Sequence, residues 1–319
     1  MVPLGYNKDG QSTLIETKNQ IDWLRKEGFR FLSYIGGEPL APLTTKEGIT
    51  FLDHTIETIR YASEKGMIVN TTTNGDYANE KTIKRLKAAG LDSLTFSLHS
   101  PKEEGLRHLI DEAKIAARLG IVPVIHGLLT TNNAETLPQI AFQVAENGIL
   151  FSTAIVQEKG NGFSTLPEKS QMPTAEQTRK AFGHLLKLKS YGFVSSDKDF
   201  LLNAANHIGN DWKCNPKKDN FIHIGAGGFL NICSESRTEI KATDTSLSDK
   251  AWREQKQESV KNCEGCNYQC WQTAEHPHPI SDIPAVALIG LIKAGKASLV
   301  EKIGKFAVKR IMNKDKNTI

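Results

Sequence analysis

The chain has 319 residues, of which 39% are hydrophobic and 24% charged, enough apolar sequence for a folded core, and this excludes a disordered or collagen-like chain. Basic residues exceed acidic ones by four, yet residues 290–319 alone hold eight basic and two acidic side chains. A basic excess confined to one end argues against nucleic-acid binding and for a separate basic tail.

The chain has five cysteines, and the first 210 residues contain none. An odd, clustered set, without a charged and then apolar N-terminal leader, excludes a disulfide-linked secreted scaffold. It favours metal ligands in a cytoplasmic protein.

From Thr13 to about Gly192 the sequence repeats a capped amphipathic helix, a glycine and a short apolar strand. The first helix is predicted over residues 14–27, with Thr13 and Glu16 in capping-box spacing, and the second repeats the box with Thr44 and Glu47. Glycine after a helix supplies the left-handed residue that ends it. Five strands are predicted, over residues 30–35, 67–71, 92–98, 121–125 and 149–156.

Strands separated by helices pair in parallel, and their mostly apolar runs imply burial on both faces. The predicted fold class is therefore α/β, either a doubly wound sheet or a (β/α) barrel. In both architectures the chemistry lies at the carboxyl ends of the strands. The segments of interest are residues 36–40, 72–75, 99–100, 126–127 and 157–162.

The rhythm changes after Tyr191. Alternating segments at 221–224 and 229–233 flank a glycine-rich turn and predict a hairpin. Three prolines between residues 276 and 284 predict a linker, and an amphipathic basic helix or helix pair follows from Ala285. The predicted divisions are a barrel over residues 1–195, a cysteine-rich α+β region over 196–275 and a linker and helical tail over 276–319.

The first candidate site is the segment Gly36-Gly37-Glu38-Pro39-Leu40, which follows the first predicted strand. Its glycines allow a ligand to approach the backbone closely, and carbonyls and the Glu38 carboxylate are acceptors that suit an ammonium group. The alternative is a strand-to-loop turn in which the glycines serve only the bend.

Motifs that follow three successive strands resemble the radical S-adenosylmethionine (SAM) superfamily over residues 13 to about 160. They are Gly36-Gly37-Glu38-Pro39, Thr72-Thr73-Asn74-Gly75 and Ser97-Leu98-His99-Ser100. The resemblance implies that Gly36, Gly37 and Glu38 hold the amino group of SAM. It also implies that Thr73, Asn74 and Ser97 contact the ribose and carboxylate of SAM.

Two histidines lie at strand ends in the same region. His99 stands where the superfamily usually has an acidic or small polar residue. His126 either lines the substrate side or is a core histidine, and the second reading is favoured from the sequence.

The second candidate site is the cysteine set, Cys214, Cys233, Cys263, Cys266 and Cys270. Thiolates pack closely only around a cation, so the pattern predicts a metal centre and leaves zinc and iron–sulfur both open. The segment from Cys214 to Cys233 has the pattern C-x13-G-x4-C, and a C-x2-C-x3-C motif, residues 263–270, follows it. This arrangement resembles the SPASM and twitch auxiliary-cluster regions of radical SAM enzymes. That resemblance implies an auxiliary [4Fe–4S] cluster with four ligands and one spare cysteine, or three ligands and an open iron.

The superfamily holds its catalytic [4Fe–4S] cluster with a Cys-x3-Cys-x2-Cys loop that precedes the GGEP motif, and here no cysteine precedes Cys214. We therefore expect a partial (β/α)6 TIM-like barrel without its first strand, and a catalytic cluster only in a full-length form. A degenerate barrel is the alternative.

The resemblance implies an enzyme of oxidoreductase or transferase type that cleaves SAM to a 5′-deoxyadenosyl radical and modifies a lipid or a peptide. It implies a small electron-donor protein of the flavodoxin or ferredoxin type as partner. The alternative is a non-catalytic scaffold that binds zinc or an iron–sulfur cluster. The expected location is cytoplasmic, peripheral to the membrane.

The tail has two readings. Leu299, Ile303, Phe306 and Ile311, with basic neighbours Lys302, Lys305, Lys309 and Arg310, either lie in an anionic membrane surface or belong to a helix docked on the protein.

Overall fold

The protein is described by a computed structural model that covers residues 12–99, 103–156, 171–206, 212–233, 236–266, 268–275 and 283–316. Ser100, the segment 157–162 and most of the expected linker lie outside these residues.

Five parallel strands form one sheet, and their order in space is their order in the chain. They are β1 (Phe31–Tyr34), β2 (Ile68–Thr73), β3 (Ser93–Leu98), β4 (Val122–Leu129) and β5 (Leu150–Ile155). The helices that alternate with them are α1 (Leu14–Lys26), α2 (Phe51–Glu64), α3 (Glu80–Ala88), α4 (Glu103–Arg118), α5 (Leu137–Glu146) and α6 (Ala175–Lys189). Helical crossovers impose parallel pairing, and the twisted sheet curls into a half-barrel. The predicted α/β partial barrel is confirmed.

The half-barrel continues for a few residues past β5. Phe151 in β5 donates its backbone N–H to the carbonyl of Phe193, and its own carbonyl accepts from Ser195. Residues 193–195 thus extend the edge of the sheet in the parallel sense.

The two faces of the sheet differ in chemistry. On the face beneath the helices Leu94, Phe96, Ile125 and Phe151 are fully buried. The concave face, which carries the alternate residues, is largely polar and mostly half-buried or exposed. Its polar residues include Ser33, Asn70, Thr72, Ser93, Thr95, Ser97, His126 and Ser152. The expectation of burial on both faces was wrong, because helices cover only one of them.

Helix ends follow the sequence closely, with one exception. Gly66, Gly90, Gly120 and Gly148 have positive φ and end α2, α3, α4 and α5, as predicted. The predicted cap at Thr44 is wrong, because Thr44 pairs with Thr50 in a short antiparallel bridge. Thr50 caps α2 instead, and the Glu47 carboxylate accepts a hydrogen bond from the backbone of Leu14.

The cysteine-rich region forms a second, antiparallel sheet with flanking helices. Its strands are β6 (His223–Ile224), β7 (Phe229–Asn231) and β8 (Arg237–Lys241), and its helices are α7 (Lys198–Asn203), α8 (Lys250–Asn262) and α9 (Gln269–Glu275). The pairing of β6 with β7 confirms the predicted hairpin. Gly227 and Gly228 both have positive φ and make its turn.

The tail forms the helices α10 (Ile283–Lys293) and α11 (Ala297–Lys316), and both pack on the half-barrel. Buried side chains of the two helices include Leu288, Ile292, Val300, Ala307, Val308 and Ile311. α11 lies on α5, behind the helical face of the sheet. Docking on the protein buries Ile311, so this residue is not available to a membrane, whereas Leu299 and Phe306 stay exposed. No helix within the described ranges combines the length and apolar content needed to cross a bilayer.

Candidate cofactor site

The loop after β1 forms an open cradle. Gly36 and Gly37 have φ of 126° and 57°, conformations that side chains other than glycine rarely adopt. A β carbon on either glycine would meet no atom within 4 Å, so open space lies directly beside this backbone. Behind the cradle, the buried Thr55 hydroxyl donates to the Pro39 carbonyl and ties the loop to α2.

Glu38 is held in one orientation by three donors. The Thr73 hydroxyl donates to its Oε1 at 2.7 Å, the Asn74 backbone N–H donates to its Oε2 at 2.7 Å, and the Leu40 N–H reaches Oε1 at 3.1 Å. A carboxylate offers about four acceptor positions, so Glu38 retains capacity for one further donor. The structure thus joins the two predicted segments, 36–38 and 73–74, at the carboxyl ends of β1 and β2.

Thr73 and Asn74 also organise their own turn. Thr73 accepts a hydrogen bond from the N–H of Gly75, and the Asn74 side chain exchanges hydrogen bonds with Asp76. The Thr73 hydroxyl therefore both donates and accepts within the protein.

Ser97 lies on the neighbouring strand, on the concave face. It follows Phe96, the register partner of Thr73, and is itself in register with His126. The described donors to Glu38 are Leu40, Thr73 and Asn74, and Ser97 is not among them. Ser97 belongs to the candidate site only because its strand, β3, lies beside β2. His99, the next residue but one, is exposed.

His126 belongs to the concave face. Its Nδ1 lies 3.1 Å from the hydroxyl of Ser152, its register partner on β5. Burial, and to a smaller extent the charge of His99, lowers the pKa of His126 to about 4, so the imidazole is neutral at physiological pH. His126 is thus a largely buried histidine with a hydrogen-bond partner on the concave face, and its role at the substrate side stays a prediction.

A polar ladder crosses three strands and was not predicted. The side-chain amide of Asn70 donates to the Ser33 hydroxyl at 3.0 Å, and its side-chain oxygen, Oδ1, accepts from the Thr95 hydroxyl at 3.0 Å. The alternation of these residues with Val69, Leu94 and Phe96 was the available signal. It was missed because the strands were interpreted as apolar throughout.

The five cysteines fall in one region, and none of them forms a disulfide. The Cys266 N–H donates to the Trp212 carbonyl, which brings the segment that holds Cys214 beside the C-x2-C-x3-C motif of residues 263–270. The Trp271 indole donates to the Ile232 carbonyl at 3.0 Å, which brings α9 and Cys270 beside Cys233. Lys256 of α8 pairs with Asp219 at 2.8 Å and fixes the loop after Cys214.

The described part of the chain contains no metal-ligand group. Within the described residues, which include all five cysteines, no three His, Cys, Asp or Glu side chains are grouped closely enough to hold a metal ion. Burial raises the pKa of the Cys270 thiol. The geometry gathers the thiols in one module without forming a metal-ligand set.

Comparisons with known proteins agree with this description. A sequence model of the radical SAM superfamily matches residues 4–131, which include β1 to β4 and every residue of the cradle. Among solved structures the chain is similar to native anSMEcpe with bound AdoMet, with 12% identity, a TM-score of 0.53 and coverage of 90% of this chain and 89% of that one.

A second similar structure is that of Streptococcus suis SuiB, with 16% identity and a TM-score of 0.57. The match covers 76% of this chain but only 59% of SuiB. SuiB bound to the precursor peptide SuiA gives a TM-score of 0.58, with 16% identity and the same coverage. At these identities the similarity concerns the fold. The first two fifths of the chain thus match the radical SAM superfamily in sequence, and the fold of the chain is similar to that of these solved structures.

Proposed function

We propose that this protein is a radical SAM enzyme, with its SAM site formed by the cradle and the carboxyl end of β2. The observation that carries the proposal is the Glu38 carboxylate, fixed by Thr73 and Asn74 beside the open backbone of Gly36 and Gly37. SAM held by these residues would supply, after reduction by one electron and release of methionine, the 5′-deoxyadenosyl radical that modifies the substrate.

The residues divide into three roles. Glu38 has an acceptor position left for the SAM ammonium group, and the glycine carbonyls lie next to it. The Thr73 hydroxyl is engaged on both sides by Glu38 and Gly75, so we assign it to positioning Glu38 rather than to touching SAM. Ser97 and the concave face are assigned to the ribose and to the substrate.

Binding of SAM is the direct test, because it needs no turnover. The 319-residue chain is titrated with SAM by equilibrium dialysis, beside Glu38→Gln and the control Glu57→Gln, a partly exposed glutamate on α2 that pairs with Arg60. Loss of a charge-assisted hydrogen bond predicts at least a tenfold weaker affinity for Glu38→Gln and an unchanged affinity for Glu57→Gln. A wild-type chain that binds no SAM, or equal affinities for the two variants, would overturn the assignment.

The residues described next to Glu38 do not fit a catalytic cluster. All five cysteines of the chain lie at residue 214 or later, and no cysteine lies on β1 or β2. We therefore assign no step of cluster chemistry to this site.

We further propose that the cysteine module binds an auxiliary [4Fe–4S] cluster. In its favour, two hydrogen bonds join the segments that carry the cysteines. One links Cys266 to Trp212, near Cys214, and the other links Trp271, next to Cys270, to Ile232, next to Cys233. The rival is a scaffold that binds zinc, and the incomplete convergence of the thiols leaves room for it. Anaerobic purification with iron, sulfide and zinc analysis separates them. About four irons per chain support the cluster, and one zinc without iron–sulfur absorbance overturns it.

For the substrate we propose a peptide rather than a lipid. Solved structures similar to this chain include complexes with peptides, anSMEcpe with Cp18Cys peptide and SuiB with SuiA. The basic tail lies on the helical side of the sheet and is not part of the concave face, so it gives no support to a lipid substrate.

A further inference from the structure

Helix α11 has one side buried against the half-barrel and one side facing solvent. Its buried side consists of Val300, Gly304, Ala307, Val308 and Ile311, which recur at helical spacing. The opposite side, called here the outer face, consists of Leu299, Lys302, Phe306, Lys309 and Arg310.

The outer face exposes large apolar side chains. Phe306 is 58% exposed and Leu299 is 44% exposed, and Met312 at the margin is also exposed. The Arg310 guanidinium lies 6.0 Å from the centroid of the Phe306 ring, so a cation accompanies the aromatic side chain. Burial of the exposed part of these side chains in an apolar environment would be favourable.

The same face carries a concentrated positive charge. Lys302, Lys309 and Arg310 are exposed on it, and Lys305 lies at its margin. The acidic residues of α11 are Glu301, which pairs with Lys305 at 2.6 Å, and Asp315 near the end of the helix. Beyond the helix, Asp92 pairs with Lys293 of α10, and Lys114 of α4 acts on Glu301. The net field that a partner would meet is therefore strongly positive.

We propose that the outer face of α11 docks on an anionic lipid bilayer. Lysine and arginine are attracted to acidic headgroups, and Phe306 and Leu299 can enter the boundary between headgroups and acyl chains. Charge alone would suit a nucleic acid equally well. The exposed aliphatic and thioether side chains of Leu299 and Met312 are what favour lipid, because nucleic acids offer little apolar surface to them.

This docking differs from the membrane surface inferred from the sequence. Ile311 was expected in that surface and is instead buried in the protein. α11 lies behind α5, which covers the side of the sheet opposite to the concave face. A protein held by the outer face would therefore direct its candidate site away from the bilayer, which agrees with a substrate taken from solution.

Point variants of the full chain test the proposal, because removal of α11 would expose the buried core beneath it. Flotation is measured with phosphatidylcholine vesicles, with and without 30% phosphatidylglycerol. The proteins are wild type, Lys302→Glu/Lys309→Glu, Leu299→Ser/Phe306→Ser and the control Leu202→Ser, which alters an exposed leucine on α7.

We expect wild type to float with the anionic vesicles only, and less so as salt is raised. Lys302→Glu/Lys309→Glu should bind these vesicles at least about tenfold more weakly than wild type. We expect Leu299→Ser/Phe306→Ser to lose binding at high salt, and the control to match wild type. Thermal melting by circular dichroism checks that the variants stay folded. Absence of flotation, equal flotation with neutral vesicles, unchanged flotation of both double variants, or binding to duplex DNA without flotation overturns the proposal.

Discussion

Gly304 of α11 packs directly against the carbonyl oxygen of Ala145 in α5, so closely that a β carbon at residue 304 would overlap that oxygen. Backbone cannot move away as a flexible side chain can. Gly304→Ala should therefore lower the free energy of unfolding by about 1–3 kcal/mol, despite the better helix propensity of alanine. Urea denaturation measures the change.

Two other helical glycines provide the control. Gly183 in α6 and Gly290 in α10 have nothing within 4 Å of an added β carbon. Gly183→Ala and Gly290→Ala should each raise stability by up to about 1 kcal/mol. If Gly304→Ala behaved like these two, the contact between α11 and α5 would be wrong.

Substitution of Gly37 should separate ligand binding from folding. Gly37→Ala places a methyl group in the open space of the cradle at a φ of 57°, and Gly48→Ala does the same in a turn before α2 at a φ of 82°. Each should cost about 1–2 kcal/mol of stability through the left-handed backbone. Only Gly37→Ala should weaken SAM binding, by equilibrium dialysis, and an equal loss in Gly48→Ala would argue against the cradle.

Thr73 offers a test of positioning. Thr73→Val removes the hydroxyl that donates to Glu38, and we expect a SAM affinity lower by about tenfold because the carboxylate loses one of its restraints. Thr178→Val is the matched control, since it removes a buried hydroxyl that donates within α6. Both variants should lose about 1 kcal/mol of stability. A SAM affinity that is the same in the two would assign Thr73 to folding alone.

The free energy of unfolding should decrease in acid because of His126. Its pKa is about 4 in the folded chain, against an ordinary value of 6.5, so below pH 6.5 the unfolded chain binds a proton that the folded chain does not. Stability is therefore retained above pH 6.5 and falls as the pH is lowered towards 4, by about 2 kcal/mol between pH 7 and pH 5.

The His126→Gln variant should lose this part of the pH dependence. The buried His54 and the half-buried His223 also have lowered pKa values through burial, but their contribution is common to both proteins and cancels in the comparison. The exposed His108 gives the control variant His108→Gln. Parallel urea midpoints for wild type and His126→Gln across this range would contradict the lowered pKa.

The sequence predicted those features that rest on local physics. Glycines at 66, 90, 120 and 148 end helices because each supplies the left-handed residue that only glycine adopts without strain. The cradle and the 73–74 segment were expected to meet because parallel strands bring their carboxyl ends to one edge. The hydrogen bonds from Thr73 and Asn74 to Glu38 are the form that this meeting takes.

Features that depend on tertiary packing were beyond the sequence. Thr44 and Thr50 are both good caps, and the bridge between them decided which one begins α2. The buried side of α11 includes Gly304 and Ala307, whose small side chains give little hydrophobic signal but allow close approach. Cysteine spacing predicts a shared module and does not fix thiol-to-thiol distances, which depend on the loops between them.

The packing of α11 on α5 also affects how the protein is made. α11 follows α5 by about 150 residues, so at 5–20 residues per second the ribosome completes α5 roughly 8–30 s before it reaches α11. During that interval the surface of α5 around Ala145, later closed by Gly304, remains open to other nascent chains. We expect the nascent half-barrel to need chaperone protection until α11 emerges.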